Sequence, residues 1–131
     1  MKPTAALTAL TALACTAIAS PLMRRNDSYA CFQATVNGAE KFTAVKALSV
    51  LLANYSTVIP GGGIATEFGN NAVVYVCNFS GANIDADPQA NLNYDININS
   101  HCGPSTAGRV RLDSGLEYGR TAIGKAFCDG S

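Results

Sequence analysis

The stretch IATEFGNNAVVYVCN, residues 64–78, decides the fold of this chain. Its first part, Ile64–Phe68, and its second, Ala72–Asn78, have the composition of β-strands, and Val73–Val76 are strongly β-prone. Between them, Gly69-Asn70-Asn71 tolerates the positive φ angles of a tight turn. The stretch therefore predicts an antiparallel hairpin.

A helix is predicted before this hairpin, from about Ala39 to Tyr55. Large apolar side chains recur there at steps of three and four residues, which places them on one helical face. They are Phe42, Val45, Leu48, Leu52 and Tyr55. Pro60-Gly61-Gly62-Gly63 ends the region. We expect the apolar stripe to face the core.

Residues 91–99 carry two conflicting patterns. Apolar and polar residues alternate there, as in a strand. However, Asp87-Pro88 is a good helix start, with an N-cap followed by proline in the first turn, and Gly103-Pro104 is a helix stop. We predict a helix from these caps, and the resemblance described below favours the same choice.

Short β segments complete the chain. They are predicted at Ala30–Val36, Gly108–Leu112, Leu116–Tyr118 and Ile123–Phe127, the last two separated by Gly119–Ala122. The order is then strand, helix, hairpin, helix, hairpin, and such an order packs helices on one face of an antiparallel sheet. The predicted class is α+β: a small antiparallel sheet with two helices on one face, an α/β sandwich with two disulfides.

The first 25 residues are typical of an export signal with a dibasic processing site. Met1-Lys2 is a positive start, and the apolar run Ala5–Ala19 ends in the small-x-small pattern of a signal peptidase site. At about fifteen residues, this run is shorter than the roughly 20 that a transmembrane helix needs. We predict a signal peptide over 1–19, a propeptide over 20–25 ending at Arg24-Arg25, and one secreted domain over 26–131, without a transmembrane segment after processing.

Four cysteines, Cys31, Cys77, Cys102 and Cys128, lie in the secreted domain. Export exposes them to an oxidising compartment, so we expect two disulfides, each stabilising by roughly 3–4 kcal/mol. Three pairings are possible, and we prefer Cys31–Cys128 with Cys77–Cys102, because the first pair would tie the ends of the domain together. Since no Cys-x-x-Cys pair is present, we expect no metal, and we expect no cofactor.

The secreted domain is mildly acidic. It carries six basic and nine acidic residues, a net charge of −3. Phosphate backbones need a cationic footprint, so we expect no nucleic-acid partner. Three Asn-x-Ser sequons make Asn26, Asn54 and Asn78 candidate glycosylation sites, with no glycan at all as the alternative.

Several short motifs mark the second half of the chain. They are Val74-Tyr75-Val76-Cys77-Asn78, Cys102-Gly103, Ala107-Gly108-Arg109-Val110, Tyr118-Gly119-Arg120 and Gly124-Lys125-Ala126-Phe127-Cys128. With them, the region Ala72–Cys128 resembles small secreted proteins of filamentous fungi, a class that overlaps with effector candidates and, more distantly, with the virally encoded killer toxin of smut fungi. The resemblance implies a compact α/β sandwich held by disulfides, although this chain has fewer cysteines than the killer toxin.

Arg109 and Arg111 are the first candidates for binding. Two positions apart on a strand, they share one face. A cationic and aromatic patch would comprise Arg109, Arg111, Tyr118, Arg120 and Lys125. Guanidinium groups suit carboxylate, sulfate or phosphate partners. The alternative is a solvated strand face offset by Asp113 and Glu117.

An extracellular ribonuclease, or a catalytically inactive ribonuclease-like effector, is the alternative function. Tyr29-Ala30-Cys31 is similar to the Tyr-x-Cys start of ribonuclease-like effectors of mildew fungi. RNA cleavage would need Glu67 or Glu117 with His101 for proton transfer, and Arg109 or Arg120 for the phosphate.

A single histidine fills only one of the two proton-transfer roles, and His101 is the only histidine in the chain. Its neighbour Cys102 is expected in a disulfide, which removes it as a nucleophile. We therefore expect a secreted, non-enzymatic, effector-like or killer-toxin-like monomer. Its expected partner is a host or competitor protein, membrane or cell-wall component.

Overall fold

The computed structural model describes residues 27–54 and 58–130. The predicted signal peptide, the propeptide and the sequon at Asn26 lie outside these residues, as does the side chain of Asn54. In chain order the elements are β1 (Ser28–Thr35), α1 (Gly38–Asn54), β2 (Val58–Ile59), β3 (Ile64–Phe68), β4 (Ala72–Asn78), β5 (Ile84–Asp85), α2 (Pro88–Cys102), β6 (Thr106–Arg111) and β7 (Leu116–Ala122). None of the helices in the described ranges is long and apolar enough to cross a membrane.

Five strands form one antiparallel sheet in the order β1-β6-β7-β4-β3, and β2 pairs with β5 in a separate two-stranded sheet. The predicted hairpin is present as β3 and β4, which place Phe68 opposite Val73. Helix α1 packs on β3 and β4, while α2 packs on β1, β6 and β7. The predicted α+β class, with two helices on the sheet, is confirmed.

Residues 91–99 are helical, as the caps predicted. The Asp87 side chain accepts a hydrogen bond from the Gln89 backbone N–H at 2.9 Å, and Gly103, at φ 95°, closes the other end. The buried positions of α2 are Asn91, Asp95 and Ile98. Polar residues therefore occupy much of the buried stripe, which explains why the helical period was weak in the sequence.

The buried face of α1 differs from the predicted stripe at one end. Val45, Leu48 and Leu52 are buried as expected, but Phe42 is 51% exposed. Its place in the core is taken by Lys41, whose ammonium reaches Asp95 of α2 at 3.1 Å. An apolar pattern does not anticipate a buried lysine, because this position depends on a carboxylate far away in sequence.

The last strand also differs from the prediction. β7 runs unbroken through Gly119, and residues 123–127 form a turn and a loop instead of a strand. A Cβ atom on Gly119 would lie 2.3 Å from the Tyr75 ring, which covers this glycine from β4. The glycine therefore makes room for an aromatic ring within the sheet and does not end the strand.

The disulfides are Cys31–Cys102 and Cys77–Cys128, with Cα atoms 5.4 Å and 5.7 Å apart, so the preferred pairing was wrong. Cys31 pairs in register with Gly108, beneath the end of α2, where Cys102 lies. A Cβ on Gly108 would approach the Cys102 sulfur to 2.9 Å, so this glycine leaves space for the bridge.

The second disulfide lies on the opposite side of the sheet. Cys77 is on β4 and holds the segment Ile123–Gly130, called the strap below, against the face that the helices leave uncovered. The Phe127 ring of the strap stacks on Tyr75 at 4.8 Å between centroids. The bridge therefore folds the end of the domain over the sheet.

Asn78 is a poor glycosylation site in this fold. It is 2% exposed, and its Nδ2 donates to the carbonyls of Ile59 and Ala82, both at 2.8 Å. Its Oδ1 accepts from the Ser80 backbone N–H at 2.9 Å. A glycan is attached at Nδ2, so glycosylation of Asn78 is incompatible with this packing.

Candidate functional site

The helices cover only one face of the sheet. On the other, called the open face, β6 contributes Arg109 and Arg111, because alternate residues of a strand point to opposite faces. Arg109 lies opposite Gly119, which in turn lies opposite Tyr75, and Arg111 lies opposite Glu117. The two arginines therefore share one face, as their spacing predicted.

Arg109, Arg111 and Glu117 form one ion cluster, called the open-face cluster. The Glu117 Oε2 accepts from Arg109 Nη1 at 2.8 Å and from Arg111 Nε at 2.9 Å, with a third bond from Arg111 Nη2. The guanidinium carbon of Arg111 lies 4.6 Å from the centroid of the Phe79 ring, and that of Arg109 lies 5.8 Å from the Phe32 ring. Glu117 is 2% exposed, so two guanidinium groups enclose one buried carboxylate.

Two residues of the predicted patch lie on the other side of the sheet. Tyr118 is buried against the helices, where its ring stacks on Tyr94 at 5.0 Å. Arg120 is 0% exposed. The prediction that they extend the patch was wrong, because the register of β7 on β6 turns Glu117 and Gly119, and not their neighbours, towards Arg109 and Arg111.

Arg120 belongs to a second cluster, with Lys41 and Asp95, called the helix-side cluster. Arg120 Nη1 donates to Asp95 Oδ1 at 2.7 Å, and Lys41 Nζ lies 3.1 Å from the other carboxylate oxygen. The Asn99 Oδ1 accepts from both cations. Burial lowers the pKa of Lys41 and of Arg120, while the Asp95 charge raises both. The cluster joins α1, α2 and β7.

Arg120 also donates to the main chain. Its Nη2 reaches the carbonyl of Gly103 at 2.7 Å, just beyond the end of α2, and its Nε reaches Thr106 of β6 at 3.0 Å. Cations near a helix C-terminus are favourable because the last carbonyls have no partner within the helix. Arg120 is therefore a structural residue.

A cavity of about 220 Å³ opens between β1 and the strap on the open face. Its lining residues are Phe32, Gln33, Ala34, Tyr75, Arg109, Glu117, Thr121, Lys125, Ala126, Phe127, Cys128 and Asp129. Of the predicted patch, Arg109 and Lys125 line this cavity, and Arg111 adjoins it through Glu117. The structure thus brings three of the five predicted binding residues together.

Burial raises the pKa of Tyr75 above its ordinary value of 10.0, and the nearby Glu117 charge raises it further. The phenol is therefore neutral at physiological pH.

Arg109 has one unpaired donor. Its Nε is buried and has no hydrogen-bond partner within the described residues. The cavity thus combines a neutral phenol, an ion cluster and aromatic rings.

Sequence reasoning missed the contributions of Tyr75, Phe32 and Phe127 to this site. Tyr75 is two positions from Cys77, so both share one face of β4. Had Cys77 been paired with Cys128 from the sequence, Phe127 would have been expected near Tyr75. The missing information was the disulfide pairing.

The groups required for the ribonuclease alternative are not brought together. His101 lies on α2, where its ring stacks on Tyr29 at 3.9 Å and its Nδ1 contacts the Asn97 carbonyl at 2.9 Å. Glu117 and Arg109 lie on the open face, beyond the sheet from this helix. Glu67 lies on β3, at the sheet edge opposite β1, where Tyr29 lies, and Arg120 is fully buried and bonded to Asp95. Within the described ranges, no group of three or more His, Cys, Asp or Glu residues is arranged to hold a metal ion.

Comparisons with protein-family models, with curated proteins and with solved structures found no significant match. The resemblance to secreted fungal proteins therefore stays a prediction.

Proposed function

We propose that this is a secreted, non-enzymatic protein that binds a host or competitor component through the open face of its sheet. The observation that carries the proposal is the cavity of about 220 Å³ beneath the strap, with the open-face cluster in its wall. Concave sites that combine aromatic walls with a few convergent polar groups are the usual location of ligands.

The charges of the open face favour an anionic partner. Arg109 and Arg111 together outnumber the single Glu117 carboxylate that they bind. Lys125 and Asp129 also line the cavity and offset each other, so the site keeps one net positive charge. The surrounding domain carries a net charge of −3 over residues 26–131. A local excess of guanidinium and aromatic groups on an acidic protein is typical of a recognition site.

Export is supported by two independent features. The first 25 residues have the pattern of a signal peptide and a dibasic site. The two disulfides are of the kind that forms and persists outside the cytosol. Both agree with a protein that meets its partner outside the cell that makes it.

The binding proposal is tested with fluorescently labelled protein, secreted and oxidised, and with washed plant and fungal cells and their isolated walls. Replacing both arginines with alanine would leave Glu117 buried and unpaired, so the test variant is Arg109→Ala/Arg111→Ala/Glu117→Gln. We expect this variant to lose retention on the surface that binds the wild type. Lys46→Ala, an exposed cation on α1, is the matched control and should bind as the wild type does.

Mass spectrometry first confirms both disulfides in each variant. The amount of labelled protein retained on the cells or walls is then measured as a function of protein concentration. If the folded triple variant is retained as well as the wild type, the proposal fails. A separate incubation with RNA tests the ribonuclease alternative: turnover that His101→Ala abolishes would overturn the non-enzymatic assignment.

A further inference from the structure

We infer that the strap cavity binds a single carboxylate carried on a ring, as found in a free aromatic acid or in a uronic acid unit of a polysaccharide. This inference rests on the proposed function and names the ligand chemistry of the same site. It follows from the guanidinium geometry, the charge balance and the size of the cavity.

The first argument is the edge of Arg109 that Glu117 does not use. The Nε–Nη2 edge of a guanidinium suits a carboxylate, and Arg111 directs this edge at Glu117, with both nitrogens on Oε2. Arg109 instead uses Nη1 for Glu117, and its buried Nε has no acceptor in the described part of the chain. An unmet buried donor is unfavourable. The Arg109 side chain lines the cavity and is 15% exposed, so a small adjustment of this side chain would let a ligand oxygen accept from Nε.

The second argument is charge. The cavity wall contains Arg109 and Lys125 as cations and Glu117 and Asp129 as anions. Arg111 does not line the cavity but is bonded to Glu117, and its charge is counted with these four. The five side chains together carry one net positive charge. A ligand with one negative charge neutralises this excess, whereas a doubly charged phosphate would overcompensate it. The balance therefore favours a monoanion over a phosphate monoester, and the planar guanidinium edge of Arg109 suits a planar carboxylate among the monoanions.

The third argument is size and shape. A volume of about 220 Å³ is below the roughly 300–1,000 Å³ of sites for drug-sized ligands, so it suits one ring with its substituents. Phe32 and Phe127 supply apolar wall, while Thr121 offers a hydroxyl. A ring that carries a carboxylate fits both kinds of surface, because its apolar face can lie on the aromatic rings while the carboxylate meets the polar groups.

The experiment is a titration of the oxidised, secreted protein with benzoate, D-galacturonate, N-acetylglutamate and sulfate, followed by ¹H–¹⁵N NMR and calorimetry. We expect at least one ring carboxylate to bind, with shifts concentrated at Tyr75 and the strap. Whichever of benzoate and galacturonate binds more tightly identifies the source of the ligand. Equal or tighter binding of N-acetylglutamate or sulfate would overturn the inference.

Two substitutions make the test specific. In Arg109→Ala, Arg111 still pairs with Glu117, so the variant should fold, and we expect its affinity for the ring carboxylate to fall about tenfold to a hundredfold. Arg109→Lys keeps the charge but lacks the two-nitrogen edge, so it should also weaken binding by about tenfold. Lys46→Ala should bind like the wild type.

The outcomes separate this inference from the proposed function. If no ring carboxylate binds the wild type, while the triple variant still loses retention on cells or walls, the inference is wrong and the binding function stands. If galacturonate binds and Arg109→Ala abolishes it, but retention is unchanged in the triple variant, the ligand site stands and the proposed function fails.

Discussion

Strand β7 carries an ion cluster on each of its faces, and the two have the same charge balance. Lys41 and Arg120 enclose Asp95 on the helix side, while Arg109 and Arg111 enclose Glu117 on the open face. Each has two cations for one carboxylate. They differ in how fully the cations are satisfied and in how much water reaches them.

On the helix side, Arg120 is fully buried and donates to α2, to the residue after it and to β6. On the open face, the Arg111 side chain is 33% exposed, and the Nε of Arg109 has no partner within the described residues. The first arrangement holds elements together, and the second leaves one donor unpaired. Two clusters of equal charge balance thus differ according to what covers them, and our proposal assigns recognition to the less covered one.

The largest expected effect comes from Asp95→Asn. It leaves two buried cations without their carboxylate, and breaking a buried pair in this way costs about 3–5 kcal/mol of unfolding free energy. The matched change on the open face is Glu117→Gln, which should cost less, about 1–3 kcal/mol, because the Arg109 and Arg111 side chains are 15% and 33% exposed and can bind water in place of the carboxylate. Urea denaturation measures both. Equal losses would contradict the distinction between the two clusters.

The two disulfides also lie on opposite faces of the sheet, so removing each one separately tests the difference between the faces. Removing either bridge, as Cys31→Ser/Cys102→Ser or as Cys77→Ser/Cys128→Ser, should lower the free energy of unfolding by about 2–4 kcal/mol. Only the second change releases the strap. Binding of ring carboxylates should therefore persist in the first variant and disappear in the second. Binding that persists in the folded second variant, or that is lost in both variants, would contradict a specific role of the strap.

A smaller effect is expected at Gly119, between the two clusters on β7. Gly119→Ala places a Cβ against the Tyr75 ring and should destabilise by about 1–3 kcal/mol. In a Tyr75→Ala background the space is free, so the same substitution should cost much less. A double-mutant cycle gives the coupling, and additive effects would refute the proposed contact between this ring and the glycine.

The last expected effect is absent at neutral pH and appears only in alkaline solution. Burial raises the pKa of Tyr75 on the open face and of Tyr118 on the helix side. Each unfolded phenol ionises near its ordinary value of 10.0, but the folded one does not. The unfolded state therefore loses protons first, and stability present below pH 10.0 falls as pH rises above it.

Tyr118→Phe and Tyr75→Phe should each reduce this alkaline loss, which is measured by urea denaturation at several pH values. Lys41 acts in the opposite direction because its pKa is lowered, so the informative quantity is the difference between wild type and variant. An unchanged pH dependence in both variants would contradict the burial of the phenols.

Local patterns predicted most of the fold. The β3–β4 hairpin followed from valines around a Gly-Asn turn, and α2 followed from Asp87 and Gly103. The errors arose where a residue depends on a distant partner. Lys41 is buried because of Asp95, and Gly119 continues a strand because of Tyr75. Neither partner is apparent from local sequence.

The site was predicted in part for the same reason. The spacing of Arg109 and Arg111 placed them on one face, but the face of Arg120 depended on the register of β7. The cavity required the Cys77–Cys128 bridge, and four cysteines allow three pairings. Tertiary register and disulfide pairing are therefore the missing information.

The most direct test compares the arginine Nε–H resonances of ¹⁵N-labelled, oxidised protein before and after saturation with the tighter-binding ring carboxylate. We expect the Arg109 Nε–H signal to shift as it gains an acceptor, while the Arg120 signal, already bonded to Thr106, stays in place. A stationary Arg109 signal at saturation, or a shift at Arg120 instead, would contradict the assignment of recognition to the open face.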